Sequence, residues 1–444
     1  MISRPADTAP AAAGLPPGPR LPSTVQTMLV WRWRQPFLDA CRRRYGNCFT
    51  LRIAPFGTIV VVSDPPAIEQ VLTGDPAVFR AGEFNVIAGL GLILGRTALG
   101  LRDGDEHRRA KLLLWPSFRA RSVAGHAEMV EEITAKQLRQ WPIRRPFALH
   151  PHMRVIAREV ILHVLFGAAD PARLSELREV LPALADPNPL DFVPGVRRMG
   201  PLQRFRRDLD RADEPILTEI ARRRRALTVG ECTDVLSLLL HSDGGNALTD
   251  RQLRDELVDL FLGGYAPTSH ALSWMFERIL HEPDVLAGVR SAVHAGDDGY
   301  LEAVAHEVLR QRPPLFAAGR VLAQPIELAG YLLPAGISVA AAASLVHNSG
   351  QWHDQPREFR PERFRSGPPQ RHTWIPFGGG QRRCLGEGLV FVEMIAVLRT
   401  VFTHLDLAPA DREPERAVPQ DISVTPSKGA RAVVRHRRSA AGRL

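Results

Sequence analysis

The sequence predicts a mainly α-helical protein with a small β region, and three observations support this fold class. Segments with apolar spacing near 3.6 residues recur along most of the 444-residue chain. The longest of them, 250–281, would extend roughly 50 Å at about 1.5 Å per residue, enough to cross a whole domain. Runs of β-branched residues are confined to short stretches, at 49–63 and 325–340. The chain is 45% hydrophobic and 24% charged, so it can bury a large core.

The chain begins with an Ala- and Pro-rich segment, 1–20, which predicts a flexible lead ending in Leu-Pro-Pro-Gly-Pro-Arg. A β-hairpin is expected at 49–63, around the turn residues Pro55-Phe56-Gly57. Amphipathic spacing then predicts helices at 105–114, 126–140, 150–166, 203–226, 250–281, 299–312 and 386–403.

The long segment 250–281 has start and stop signals at its two ends. Thr249-Asp250 is a plausible N-cap, and Pro283 follows the last apolar residue. The stretch 348–385 is rich in Pro, Gly and aromatic residues, which is typical of an irregular but ordered functional segment. Neither an internal repeat nor a change in composition divides the chain. We therefore expect one domain over 21–432, followed by a basic tail at 433–444.

The net charge is +9, and three of the 57 basic residues are lysines. The densest basic stretches are Arg222–Arg225 and the tail from Arg431 to Arg443. Aromatic residues are not interleaved with them as in a nucleic-acid interface, so we expect solvated helix ends and no nucleic-acid partner. A basic surface that docks an acidic electron-transfer protein is the functional alternative.

The four cysteines, Cys41, Cys48, Cys232 and Cys384, form no CxxC pair and have no zinc-ligand spacing. Such usage fits a reducing cytoplasm. No stretch approaches the ~20 apolar residues that a membrane span needs. We therefore expect a soluble, cytoplasmic monomer.

The strongest chemical signal is the segment 377–386, FGGGQRRCLG, which is followed at once by an apolar helix. Glycines at 378–380 allow a tight turn and close approach of the backbone to a flat ligand. Cys384 then lies at the start of the helix, where free N–H groups and the helix dipole stabilise an anion. The pattern thus predicts a stabilised thiolate rather than an inert buried thiol.

A second signal is the pair Glu307 and Arg310, three residues apart and so on one face of a predicted helix. The segment PERF at 361–364 lies downstream of it. Together with the cysteine loop, these segments resemble the signature motifs of cytochrome P450s, in the order that the family has them. The resemblance covers about 15–430 and is to the family's soluble, bacterial-type members.

The resemblance implies a P450 fold with a single b-type haem between the long central helix and the cysteine loop. Cys384 would be the axial ligand of the haem iron, and a thiolate there helps to cleave an O–O bond. It also implies that Glu307, Arg310 and Arg363 form a buried network that stabilises the fold.

Four further residues match positions that meet the haem propionates in the family: His107, Lys111, Arg320 and Arg382. Lys111 stands where an arginine is usual, which keeps the charge but loses the bidentate geometry. A solvated basic helix start is the structural alternative for His107 and Lys111.

The central helix departs from the family pattern beside the expected iron position. It should carry a glycine followed by an acid and a threonine that relay protons, but after Gly263 and Gly264 it has Ala266 and Pro267 at those two positions. Thr268 comes one residue late, rotated by about 100° on an ideal helix. A kink at Pro267 could turn its hydroxyl inward.

Two functions follow from this departure. In the first, the protein is a haem-thiolate monooxygenase that oxidises an apolar small molecule with O₂, protons coming through water, Thr268, Ser269 or a substrate hydroxyl. In the second, it carries out atypical P450 chemistry: peroxide-driven oxidation, coupling, desaturation or rearrangement. In both, the distal wall would be 262–268, with 84–101 and 315–318 lining the pocket.

Electrons would come from a separate protein, because the chain has no nicotinamide- or flavin-binding pattern: in the segment 89–95 the third glycine is one place late for G-x-G-x-x-G. We expect a ferredoxin-type donor with its reductase, docking near Arg382 and Arg383. Two other classes of function are alternatives. One is an enzyme in which a histidine such as His372 assists Cys384 as a nucleophile, and the other is a haem sensor.

Overall fold

The computed structural model describes residues 12–167, 171–185, 200–225, 234–241, 248–365, 367, 370–420 and 423–438. Residues 1–11 of the predicted lead, 439–444 of the predicted tail, and Cys232 lie outside these ranges. Helices dominate the described chain, and the strands form small sheets. The mainly α class with a small β region is therefore confirmed.

The helices, in chain order, are α1 Ser23–Arg32, α2 Arg34–Tyr45, α3 Pro65–Thr73, α4 Ala81–Ile87, α5 Gly91–Leu94, α6 Gly104–Leu114, α7 Ala120–Ala124, α8 Ala127–Leu138, α9 His150–Phe166, α10 Pro171–Val180, α11 Gly200–Arg225, α12 Val235–His241, α13 Asp250–His281, α14 Pro283–Ala295, α15 Asp298–Gln311, α16 Ala343–His347 and α17 Glu387–His404. All seven predicted helices are present, with ends that differ by three residues or fewer. The segment 348–385 is largely irregular, as predicted, with single 3-10 turns at Pro361–Phe364 and Gly380–Arg382.

The strands are β1 Ala12–Ala13, β2 Cys48–Ile53, β3 Gly57–Val62, β4 Phe79–Arg80, β5 Pro146–Ala148, β6 Ala318–Leu322, β7 Ile326–Leu328, β8 Tyr331–Leu333, β9 Ser338–Ala341, β10 Leu405–Pro409, β11 Ala417–Gln420, β12 Ser423–Pro426 and β13 Arg431–Arg437. The predicted hairpin is β2–β3, paired from Cys48 with Val62 to Ile53 with Gly57. It belongs to a five-stranded sheet with the order β2-β3-β9-β6-β4.

The described part of the lead is attached to the domain, which differs from the flexible segment predicted for 1–20. The backbone of β1 pairs in parallel with β8. Thr50 in β2 donates from its hydroxyl to the carbonyl of Pro16 at 2.7 Å and from its N–H to that of Pro17 at 3.0 Å. Proline carbonyls remain acceptors although the ring removes the donor, so a Pro-rich segment can still bind a strand edge.

The boundary predicted at 432 also differs from the structure, because it falls inside β13. This strand lies between β10 and β5 in an antiparallel sheet. Ala432 and Val434 are buried, whereas Arg435, His436 and Arg437 are exposed. Burial alternates from Arg431 to Val434, as in a half-buried strand, so the fold extends to Arg437.

The core is organised around α13, which packs most extensively against α9. Its start is a capping box, in which Gln252 donates from its N–H to Thr249 Oγ1 at 3.2 Å and accepts from the Thr249 N–H at 2.9 Å. From Thr268 to Leu280 every residue of α13 is buried. This helix therefore provides a fixed wall for whatever lies beside its central turns.

The arginine run at the end of α11 is used in ion pairs. Arg222 and Arg223 bind Glu219 at 2.6 and 2.8 Å, and Arg224 binds Asp250 at 2.7 Å. These pairs tie α11 to its surroundings, as expected for the charged end of a helix. Among the helices of the described ranges, none is long and apolar enough to cross a membrane.

Candidate active site

The cysteine loop is a tight turn held by its own backbone and by close packing. The Cys384 N–H donates to the carbonyl of Phe377 at 3.0 Å. Gly378 and Gly380 have φ angles of 67° and 61°, which favour glycine. A Cβ on Gly380 would lie 2.1 Å from the carbonyl oxygen of Leu72, so a larger residue would displace the loop from α3.

The Cys384 thiol is accessible to solvent and at the same time closely surrounded by protein. Burial is the largest of the causes that raise the pKa of this thiol. N–H groups of Gly386 and Glu387 donate to the sulfur and lower the thiol pKa. The helix itself starts at Glu387, three residues after the cysteine.

Lys111 reaches from α6 to the cysteine loop. Its Nζ donates to the carbonyl oxygens of Gln381 at 2.8 Å and Arg383 at 2.6 Å. Its positive charge also lowers the pKa of the Cys384 thiol. The ammonium predicted to meet a propionate is thus engaged with the loop backbone, where it fixes the loop and favours the thiolate.

His107, Arg320 and Arg382 lie together, and all three line one small cavity. Burial, together with the charges of Arg382, Lys111 and Arg320, lowers the pKa of His107 to about 3. Burial also lowers the pKa of Arg320 to about 10. Three cations therefore surround a neutral imidazole in a buried region.

This cluster carries more positive than negative charge. Arg382 binds Asp103 at 2.6 Å and the carbonyl of Arg102. Arg320 donates to the carbonyl of Gly319 at 2.8 Å and, in the described chain, makes no further hydrogen bond. Buried guanidinium groups are costly unless they are paired, so the cluster fits an anionic group.

The donor set fits a haem. An accessible thiol surrounded by protein is a suitable iron ligand, and the cationic cluster suits two propionates. Cysteine-loop glycines let the backbone approach a flat ring. The residues that would hold the group are Cys384, Arg320, Arg382 and His107, with Lys111 supporting the loop.

Glu307, Arg310 and Arg363 are brought together as an ion-pair network. Arg310 Nε and Nη2 donate to the two carboxylate oxygens of Glu307 at 2.7 and 2.8 Å, and both side chains are 0% exposed. Arg363 Nε lies 3.1 Å from Glu307 Oε1. The Arg360 N–H adds a bond to the same oxygen at 2.9 Å. The network joins α15 to the irregular segment that leads to the cysteine loop.

Residues at the middle of α13 leave an open face. Gly263 is exposed, a Cβ on it would meet no atom within 4 Å, and Ala266 and Pro267 are partly exposed. Gly264 has a different role, since a Cβ there would lie 2.6 Å from Ile161 Cδ1 in α9. The open face thus carries no acid and no hydroxyl from Gly263, Ala266 or Pro267.

Thr268 lies away from that face. It is 2% exposed, and α13 continues without a break through Pro267. Ser269 Oγ donates to the carbonyl of Ala266 at 2.8 Å, so this hydroxyl is also engaged within the helix. The geometry does not turn either hydroxyl into the space beside Gly263.

A set of carboxylates that the sequence analysis did not identify holds the segment 97–100 against α13. Asp255 accepts from the N–H and the hydroxyl of Thr97 at 3.0 and 2.8 Å. Asp259 accepts from the N–H of Gly100 at 2.7 Å. A segment predicted to line the pocket is thereby fixed to the helix that forms its wall.

Glu256 completes this set. It accepts from the N–H of Leu99 at 3.0 Å and pairs with Arg102 at 2.9 Å. Burial raises the pKa of Glu256 to about 7 and that of Asp259 to about 6. The sequence does carry a signal for this contact. Asp255, Glu256 and Asp259 lie near the start of a long buried helix, and buried carboxylates need hydrogen-bond partners.

The surface beside the cysteine loop differs in one respect from the predicted docking patch. Arg382 points inward, where its guanidinium binds the partly buried Asp103 carboxylate and a backbone carbonyl. Arg383 is exposed and pairs with Glu387 at 2.5 Å. It borders a groove of about 850 Å³ that also contains Arg365, Arg371 and Phe377. His372, considered as a base for Cys384, lies 3.6 Å from Glu69 instead.

Comparison with known proteins identifies the family. The family model described as Cytochrome P450 matches residues 15–433. The chain is 42% identical over 438 residues to the putative cytochrome P450 135B1 of Mycobacterium tuberculosis, covering 96% of this chain and 92% of that protein. It is 34% identical over 440 residues to the putative cytochrome P450 138 of Mycobacterium bovis, covering 97% and 98%.

Solved structures give the same fold. The chain superposes on retinoic acid-bound cyanobacterial CYP120A1 with a TM-score of 0.81 at 22% identity, covering 96% of this chain and 99% of that one. For the heme domain of cytochrome P450DA the TM-score is 0.82 at 18% identity, with coverage of 97% and 99%. The chain therefore belongs to the cytochrome P450 family and has the fold of a haem monooxygenase.

Proposed function

We propose that this P450 binds a b-type haem through Cys384 and oxidises an apolar small molecule with O₂ and electrons from a separate ferredoxin-type protein. The observation that carries the proposal is the accessible Cys384 thiol, surrounded by protein, in the loop that also brings Arg382 to the buried cationic cluster. When bound, thiolate-ligated haem supplies the activation of O₂ and the insertion of one oxygen atom into the substrate.

The protein's part begins with the thiolate. N–H groups of Gly386 and Glu387 donate to the sulfur, and Lys111 adds a positive charge. These interactions offset part of the burial that raises the thiol pKa, and they hold the sulfur in one position. Lys111 also ties the loop to α6, which would keep Cys384 in place to bind the iron.

The cationic cluster would fix the orientation of the ring. Arg320 and Arg382 offer donors for the propionates, and His107 adds a ring N–H. An anion here would also raise the pKa of His107 from its low value. Arg320, Arg382 and His107 would thereby hold the haem by its propionates, and Cys384 would hold it through the sulfur.

The substrate side is apolar. Gly263, Ala266 and Pro267 offer no charge, and the leucines of the segment 99–101 pack partly buried against the core. The carboxylates of α13 that hold this segment are used on its backbone N–H groups. This arrangement suits an apolar small molecule with few charges.

The missing acid and alcohol of the proton relay favour a second candidate function. Ala266 and Pro267 replace the acid and the alcohol, and Thr268 is buried away from the open face. Protons would then come through water or a substrate hydroxyl. Atypical P450 chemistry, namely peroxide-driven oxidation, coupling, desaturation or rearrangement, is the alternative, and hydrogen peroxide as the oxidant would bring its own protons and electrons.

The groove beside the cysteine loop is the proposed docking surface for the electron donor. Arg365, Arg371 and Arg383 line it and are all exposed. An acidic ferredoxin would be attracted to such a surface and would lie close to the thiolate side of the haem. The three described cysteines are free thiols, which fits a reducing cytoplasm.

Labelled oxygen tests the proposed reaction. Purified protein would be incubated with a panel of apolar compounds, NADPH, a surrogate ferredoxin and its reductase under ¹⁸O₂. The proposal predicts a product with one ¹⁸O atom, the other being reduced to water. Product that forms with hydrogen peroxide but not with O₂ and electrons would reject it in favour of the alternative.

A further inference from the structure

Exposed apolar side chains are concentrated at the start of the described chain. Five of them lie within a stretch of nineteen residues, and they are Leu15, Leu21, Met28, Trp31 and Trp33. Two are tryptophans, with exposed fractions of 43% and 49%. Large apolar side chains that are grouped in this way usually mark a site of interaction.

This stretch is also free of negative charge. No Asp or Glu occurs from residue 8 to residue 38, whereas Arg20 and Arg32 are present and exposed. The guanidinium of Arg32 lies over the ring of Trp33, 5.2 Å from its centroid. We call these seven residues, the five apolar ones with Arg20 and Arg32, the N-terminal patch.

The patch is held on a rigid support. Gln26 in α1 donates to the carbonyl of Leu21 at 2.8 Å and accepts from the Arg52 N–H of β2 at 2.9 Å. Thr27 accepts from the Ala54 N–H at 3.0 Å. Both the lead and α1 are therefore fixed to the hairpin, and the exposed side chains share one support.

We propose that the N-terminal patch binds the surface of an anionic lipid bilayer. Tryptophan combines an apolar ring with a polar N–H and favours the membrane interface, and arginine pairs with lipid phosphates. The lack of carboxylates removes the repulsion that an anionic surface would otherwise exert. This mode needs no spanning helix, since the protein would lie on the bilayer.

The patch also adjoins a segment that we expect to line the pocket. The guanidinium of Arg34, directly after Trp33, lies 4.3 Å from the ring centroid of Phe316. Phe84 packs against Gly319, where an added Cβ would lie 2.2 Å from its ring. An apolar substrate dissolved in the bilayer would thus be taken up beside the pocket. This uptake route rests on the proposed function.

Vesicle co-sedimentation of the haem-loaded protein tests the proposal. The probes are vesicles of phosphatidylcholine alone and of phosphatidylcholine with phosphatidylglycerol. We expect binding to the anionic vesicles. It should weaken by tenfold or more in the double variant Trp31→Ser/Trp33→Ser, and about fivefold for each arginine replaced in Arg20→Gln/Arg32→Gln. Trp115→Ser is the matched control, because this tryptophan is 45% exposed outside the patch.

Three outcomes would overturn the proposal. The native protein could stay in the supernatant with both kinds of vesicle, or the patch variants could sediment as the native protein does. The third is that sedimentation velocity finds a dimer that Trp31→Ser/Trp33→Ser abolishes, which would make the patch a contact between two copies. Vesicle binding does not depend on turnover, so failure of the proposed reaction would leave this result unaffected.

Discussion

Lys111 Nζ donates a hydrogen bond of 2.6 Å to the carbonyl oxygen of Arg383, the residue immediately before the cysteine. A second bond of 2.8 Å goes to the carbonyl of Gln381, so one ammonium holds the cysteine loop at two of its residues. Charged donors make the stronger hydrogen bonds in proteins, and each of these contributes about 1.5–3 kcal/mol. The loop that carries the thiolate is therefore fastened to α6 by a single side chain.

Replacing Lys111 by Met should loosen that loop. We expect haem to dissociate at least tenfold faster, and part of the reduced, carbon monoxide-bound protein to lose the thiolate band. Transfer of haem to apomyoglobin measures the first effect, and the absorption spectrum measures the second. Lys136→Met, an exposed lysine on α8, is the control and should behave like the native protein. Equal haem loss from both variants would contradict a role for Lys111 in the loop.

Glu307→Gln should destabilise the fold rather than change the chemistry. It removes the charge that Arg310 and Arg363 share, leaving a fully buried guanidinium without its counter-ion. We expect a loss of about 3–5 kcal/mol in the free energy of unfolding, measured by urea denaturation. Asp105→Asn, which breaks the exposed pair with Arg108, should change stability by less than about 1 kcal/mol. Comparable losses in both variants would count against the buried network.

Glu393 should make stability fall as the pH rises. Its side chain is 2% exposed, and Oε1 has no hydrogen-bond partner in the described part of the chain. Burial raises its pKa from the usual 4.5 to about 8. The folded protein therefore holds a proton that the unfolded chain releases, so the penalty grows from about pH 4.5 and is complete above pH 8.

Replacing Glu393 by Gln removes this titration. The free energy of unfolding of the variant should decline less between pH 4.5 and 8, and exceed that of the native protein by on the order of 3 kcal/mol above pH 8. Denaturation at a series of pH values measures both effects. The exposed Glu132, replaced in the same way, should leave the profile as it is. A native profile as flat as that of Glu393→Gln would contradict the prediction.

The double replacement Ala266→Glu/Pro267→Thr should raise turnover that depends on O₂. It places an acid and a hydroxyl on the open face beside Gly263 and returns a backbone N–H to the helix. Positioned proton donors contribute about 10²–10⁴-fold, so a tenfold gain is a modest expectation. Product formation per NADPH consumed is the measurement. Turnover that stays unchanged would mean that proton supply does not limit the native protein.

Local signals explain what could be predicted of the fold. The helix 250–281 has a capping box at Thr249 and a proline after its end, and its apolar spacing continues between them. α1 and α2 could not be found in the same way. Trp31, Trp33, Pro36 and the arginines around them give no apolar stripe, and these helices form because they pack on β2.

The site could be predicted where its residues are close in sequence. Cys384, its glycines and the start of α17 lie within about ten residues, so spacing alone suggested a stabilised thiolate. The partners of Lys111 and Arg382 lie some 270 to 280 residues away, in segments whose approach depends on the packed fold. For this reason the sequence alone predicts Lys111 at a propionate, and Arg382 both at a propionate and beside the docking surface.

The central claim is that Cys384 ligates a haem iron as a thiolate. The most direct test is the absorption spectrum of the purified, dithionite-reduced protein under carbon monoxide. The account predicts a Soret band at the red-shifted position typical of thiolate-ligated ferrous haem, and its loss in Cys384→His. A native band at the shorter wavelength of neutral or histidine-ligated iron, or no haem in folded protein, would contradict it.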